Sequence, residues 1–114
     1  MKLIDDIKES LKLEVRISSD AHEYFEAVFQ TEDLNVLLGL VKDAVGEPLK
    51  PPGKEVKFPK HIQKLVDLIG GIRRAQSFYL KEANGKYVYV ALWPWQSDPS
   101  RITLKIGRGN FSSL

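Results

Sequence analysis

The chain has 114 residues, 43% hydrophobic and 28% charged, enough for one self-sufficient core and too few for two ordinary domains. It contains no cysteine, which excludes disulfides, thiolate nucleophiles, iron–sulfur clusters and cysteine zinc sites. A formal net charge of +2 conceals two opposed halves: residues 1–49 hold 5 Lys/Arg against 11 Asp/Glu, and residues 50–114 hold 12 against 4. Such polarity steers charged partners or lets two copies associate head to tail.

At the N-terminus, Leu3, Ile4, Ile7 and Leu11 recur at helical spacing, with Asp5, Asp6, Lys8 and Glu9 on the other side, so an amphipathic helix opens the chain. The early carboxylates Asp5 and Asp6 interrupt any secretory apolar run, and no window approaches the roughly 20 apolar residues of a membrane helix. These features and the missing cysteines fit a single soluble domain over residues 1–114 in a reducing cytoplasm. The period then shortens to two: Leu11, Leu13, Val15 and Ile17 alternate with Lys12, Glu14, Arg16 and Ser18, the pattern of a half-buried strand. Turn formers follow at 18–21, and residues 23–29 read as the return strand, with Phe25, Ala27 and Phe29 on one side.

Thr31, followed by Glu32 and Asp33, reads as the cap of a second helix. Its apolar positions, from Leu34 to Val45, cover most of its circumference, which predicts the most buried helix of the domain, ended by Gly46 and Pro48. Residues 47–59 carry four prolines and one glycine, a loop too short to link domains. Pro59 opens a third helix with Ile62, Leu65, Val66 and Ile69 on its apolar face, and Gly70-Gly71 ends it. Residues 73–81, 86–93 and 101–106 are rich in β-branched and aromatic types and read as three strands. The order α-β-β-α-α-β-β-β predicts an α+β fold, a largely antiparallel sheet of about five strands (a hairpin plus a C-terminal three-stranded meander) packed with two to three helices.

The alternation selects a three-residue hairpin loop, Ala83-Asn84-Gly85, that pairs Phe78 with Val90 and Leu80 with Val88. Phe78, Leu80, Val88, Val90, Leu92, Ile102, Leu104 and Ile106 then share one apolar face under the helices. The opposite face gathers Arg73, Tyr79 and Lys81, Tyr87, Tyr89 and Trp93, and Arg101 and Lys105. Rings that stack on unpaired bases beside cations that neutralise phosphates are the combination used by sheets that bind single-stranded nucleic acid. The same residue types also occupy ordinary wet sheet faces, where they pair across strands.

Lys50, Lys54, Lys57, Lys60 and Lys64 form a second basic cluster, read as solvated surface. Gly46 to Lys54 lacks the spacing and the hydroxyl residue of a phosphate loop, and Gly107-Arg108-Gly109 reads as a fraying strand end rather than a dinucleotide fingerprint. His22 and His61 lack a second ligand at metal-binding spacing, so no metal or cofactor is expected. Acid–base pairs of His61 with Asp67, or of His22 with Glu23 or Glu26, need a geometry that sequence proximity does not supply. The expectation is a small non-enzymatic interaction module, acting through the aromatic and basic face on a protein partner or on a second copy. RNA or single-stranded DNA on that face is the alternative, and a compact enzyme ranks third.

Overall fold

The computed structural model describes residues 1–114, with α1 (Lys2–Ser10), β1 (Leu13–Ser19), β2 (Tyr24–Gln30), α2 (Leu34–Val45), α3 (Lys60–Leu68), β3 (Ser77–Ala83), β4 (Lys86–Pro94) and β5 (Arg101–Asn110). The α+β class and the element order are as the sequence predicts. The strands form one antiparallel sheet in the order β1-β2-β5-β4-β3, so the hairpin joins the meander along β5, which becomes the central strand. On one face of the sheet, Phe25, Ala27, Phe29, Val90, Leu92, Ile102, Leu104 and Ile106 meet Leu3, Ile7 and Leu11 of the α1 segment and Leu37, Val41 and Val45 of α2. On the other face, Phe78, Tyr89 and Ala91 meet Ile62, Leu65 and Val66 of α3.

The hairpin register differs from the one expected. The loop has two residues, Asn84-Gly85, which puts Phe78 opposite Ala91, Tyr79 opposite Val90 and Lys81 opposite Val88. Both loop residues have positive φ, 54° at Asn84 and 74° at Gly85, as a type I′ turn requires, and Asn-Gly is the dipeptide that turn favours. Local turn chemistry therefore sets the register. The hydrophobic pattern cannot oppose it here, because α3 buries the second face and both sides of β3 and β4 accept apolar residues.

Other boundaries shift for local reasons. Residues 73–76 form a turn and β3 starts at Ser77. Thr31 opens a 3-10 turn, and its hydroxyl donates to the Pro99 carbonyl at 2.7 Å instead of capping α2. The helix α2 buries Leu37, Val41 and Val45 and leaves Val36 half exposed, so its outer side faces solvent, against the expectation of the most buried helix. Lys50 leaves the surface cluster altogether. It is 2% exposed, and its Nζ donates to the carbonyls of Arg74 and Gln76, both at 2.6 Å. Lys50 also forms a bridge with Phe78, so the proline-rich loop shields the β3 edge of the sheet.

The Gly107-Arg108-Gly109 segment is regular strand, with β5 running to Asn110. Its glycines face tyrosines on β4: Tyr89 lies opposite Gly107 and Tyr87 opposite Gly109. A Cβ on Gly107 would lie 2.3 Å from Tyr89 Cε2, and one on Gly109 2.8 Å from the Tyr87 hydroxyl. The rings lie across the backbone of β5 in space that only glycine leaves open.

Candidate functional site

The two-residue turn divides the expected aromatic and basic face between the two sides of the sheet. Tyr79 and Lys81 stand on the side of α1 and α2, where Tyr79 is 4% exposed within the main core and Lys81 reaches solvent at the sheet edge. Burial pushes the Tyr79 hydroxyl above its ordinary pKa. Tyr87, Tyr89, Trp93, Arg101 and Lys105 remain together on the α3 side, and Arg73 sits exposed in the turn before β3.

Within that group, Tyr87 and Tyr89 serve packing. Tyr89 stacks on Phe78 with ring centroids 6.1 Å apart, and Tyr87 lies 5.0 Å from Phe111. Burial raises the pKa of both hydroxyls. Tyr89, 4% exposed, offers no stacking surface for a base.

Beyond the reach of α3, a more open region begins at Trp93. The Lys105 Nζ sits 3.4 Å above the Trp93 ring, and the Arg101 guanidinium 5.3 Å from the Trp95 ring. Trp95 is fixed by its Nε1, which donates to Thr103 Oγ1 at 2.8 Å. The two indoles, with Pro94 between them, line a cleft of about 440 Å³ with Arg73, Gln76, Gln96 and Thr103. Of the eight candidate residues, Arg73 and Trp93 line this cleft, and Arg101 and Lys105 contact its indoles. Trp95 was missed by sequence reasoning. The Trp93-Pro94-Trp95 run was its signal: β4 continues through Pro94, which pairs with Ile102, and the Trp95 N–H donates to the Arg101 carbonyl, so alternation puts both indoles on the same side of the sheet.

A second cleft, of about 350 Å³, lies between α3 and the β2–β5 pair. Leu65, Leu68 and Ile69 form one wall, with Tyr24, Tyr89, Lys105 and Gly107 opposite and His22, Glu23 and Arg108 also lining it. Lys105 faces Glu26 across the β2–β5 ladder, with Nζ 3.9 Å from Oε1, and Tyr24 donates its hydroxyl to that same oxygen at 2.8 Å. Burial, then the bond to Glu26, drives the Tyr24 pKa far up. Burial lowers that of Lys105 against the opposing pull of Glu26.

Both histidines are exposed, and the acid–base pairings set aside in the sequence do not form. His61 Nε2 lies 2.7 Å from Glu82 Oε1, Asp67 instead accepts from Gln63, and the His22 backbone N–H donates to Ser19 Oγ. Lys54, Lys57, Lys60 and Lys64 are exposed. No three His, Asp or Glu side chains cluster so as to hold a metal ion, and no helix is long and apolar enough to cross a membrane. Comparison with protein-family models, with curated proteins and with solved structures found no match.

Proposed function

We propose that the chain is a small interaction module that binds a protein partner at its tryptophan cleft. The observation that supports this reading is that Trp93 and Trp95 both line an open, cation-rimmed cleft at one end of the sheet. Indoles and arginines are the residue types that dominate binding energy at protein interfaces. Arg73 and Arg74 are exposed beside the cleft and neither takes part in an ion pair, so the rim favours a partner segment carrying acidic residues beside its apolar anchor.

Single-stranded nucleic acid is the second reading, favoured by the excess of 12 Lys/Arg over 4 Asp/Glu in residues 50–114. It ranks lower because a cation already occupies one side of each indole and because Tyr79 and Tyr89 are buried.

Selection from a random peptide library against the folded chain tests the first reading. Selected peptides should carry an aromatic or aliphatic anchor next to Asp or Glu and should lose about 30-fold in affinity on Trp95→Ala, the scale of an interface hot spot. Peptides indifferent to Trp95→Ala and Arg73→Glu would place binding elsewhere. Titration of labelled single-stranded RNA and DNA at low salt decides the second reading: binding that weakens with salt and on Lys105→Ala would favour it.

A further inference from the structure

Among the lysines, only Lys50 and Lys105 are withdrawn from solvent. They are treated differently. Lys50 spends its ammonium on two backbone carbonyls at 2.6 Å. Lys105, with 16% of its side chain exposed, forms no hydrogen bond with any protein group. Its contacts are the Trp93 ring at 3.4 Å and Glu26 Oε1 at 3.9 Å, an oxygen already engaged by Tyr24. An ammonium group has three N–H donors, and withdrawing it from water without hydrogen-bond partners disfavours its charged form.

Lys105 is one of the residues that line the second cleft. The wall contributed by α3 and its C-cap is wholly apolar, Leu65, Leu68 and Ile69, and Leu68 is 69% exposed. Arg108 and Glu23, which also line it, pair with each other at 3.5 Å. Among ionisable groups, β2 brings Glu26 and the Tyr24 hydroxyl toward Lys105, β4 presents the Tyr89 hydroxyl beside the non-ionisable Trp93 ring, and α3 presents none. The cleft volume of about 350 Å³ falls at the lower end of small-ligand sites, about 300–1,000 Å³.

We propose that Lys105 is a covalent anchor for an apolar aldehyde or ketone, its Nζ condensing with the ligand carbonyl while the ligand body lies against Leu65, Leu68 and Ile69. The neutral amine adds to the carbonyl carbon, forming the C–N bond, and the carbonyl π pair moves to oxygen, which takes a proton from water. Glu26 accepts the proton that nitrogen sheds and returns it to the carbinolamine hydroxyl. That group leaves as water when the nitrogen lone pair forms the C–N double bond, and the resulting iminium gives its N–H proton to the hydroxide left by the first proton transfer, so amine and carbonyl give imine and water with no change of oxidation state. The Tyr24 hydroxyl holds the Glu26 oxygen in place. Burial, by lowering the Lys105 pKa, supplies neutral amine at a lower pH than an exposed lysine would. This site is separate from the tryptophan cleft as a ligand pocket, and its test reads covalent adducts, so either proposal fails without the other.

The test treats the full chain with hydrocinnamaldehyde and cyanoborohydride, which reduces the imine to a stable amine, and maps adducts by peptide mass spectrometry. Lys105 should be alkylated about tenfold faster than the exposed Lys60 or Lys64, and denaturant should abolish that preference. Glu26→Gln should slow the Lys105 adduct without changing that of Lys60. Lys105→Arg keeps the ion pair and the cation over Trp93 but lacks the nucleophile, so it should fold and lose the fast adduct. A Lys105 rate equal to or below that of Lys60 in the folded wild-type chain overturns the proposal, as does a Lys105 rate that Glu26→Gln leaves unchanged.

Discussion

Two helices lie on one face of the sheet and one on the other, and the chemistry of each face follows from that count. A helix is about 10–12 Å across and strands are spaced about 4.8 Å apart, so one helix covers roughly two strands. With α1 and α2 together, the first face is apolar across β2, β5 and β4, from Phe25 to Val90. On the second face α3 covers β3 and β4, and from β5 outward polar side chains, Glu26, Arg101, Thr103 and Lys105, surround the buried Val28. At the boundary the chain substitutes rings for a second helix, laying Tyr89 over Gly107 and Tyr87 over Gly109. The aromatic residues that look like a binding platform in the sequence are, at these two positions, the filler that ends the smaller core.

The largest expected effect measures the inequality of the two cores. Leu104→Ala removes a fully buried side chain from the centre of the first face and should cost about 4 kcal/mol, while Leu65→Ala on α3 should cost about 2–3 kcal/mol because a small core beside an open cleft collapses more readily. Urea denaturation gives both numbers. Hydrogen exchange sharpens the comparison: α3 amides should exchange through a partial opening that Leu65→Ala promotes, and the amides of β5 only through global unfolding. Equal losses of stability, with equal protection of α3 and β5, would show that the sheet and all three helices form one cooperative core.

Gly107→Ala tests the boundary. The added methyl would meet a buried aromatic ring at 2.3 Å, and a ring held by Phe78 and α3 has little room to yield, so the cost should be about 2–3 kcal/mol. Gly109→Ala should cost less, since it meets chiefly the hydroxyl end of the half-buried Tyr87. If the rings are fillers, Tyr89→Ala should make Gly107→Ala nearly free, a strong non-additivity visible in a double-mutant cycle. Additive costs would break this account of how the second core ends.

The element order was legible because helical and strand periods are properties of short windows. The α1 stripe of Leu3, Ile7 and Leu11 and the β2 alternation of Phe25, Ala27 and Phe29 read directly. The hairpin register was not, because choosing it by alternation presumes one buried face. With α3 on the second face, Phe78, Tyr79, Tyr89, Val90, Ala91 and Leu92 are all buried, and a run buried on both sides carries no register information. The Asn84-Gly85 pair held the answer in its own turn chemistry. Lys50 illustrates a different limit, since nothing in its local sequence separates it from Lys54 or Lys57. Its role comes from the carbonyls of Arg74 and Gln76, more than twenty residues away. Of the candidate site, Trp93 and Lys105 meet through the β4–β5 pairing of the meander, whereas the arrival of Glu26 and Tyr24 depends on β2 pairing with β5, a long-range choice.

The smallest effect at neutral pH, and the one that separates the faces most cleanly, appears in alkali. All four tyrosines have pKa values raised above the ordinary 10.0, with burial the largest cause in each case. Above about pH 10 the unfolded chain loses phenolic protons that the folded chain keeps, so the stability these groups contribute is intact below pH 10 and declines as pH rises beyond it. Lys50 and Lys105 act in the opposite direction: their folded pKa values lie below 10.5, so the unfolded chain binds more protons and stability rises with pH until that window closes near 10.5. The lysine gain thus ends about where the tyrosine loss takes hold. Tyr24, Tyr87 and Tyr89 belong to the second face and only Tyr79 to the first, so the smaller core should yield first. Phenolate absorbance should stay low until a cooperative rise well above pH 10, and amide exchange in α3 should accelerate before that in α1 and α2. Gradual phenolate formation near pH 10 in a chain that stays folded would mean that the rings on the second face are open to solvent, and the contrast between the two faces would fail.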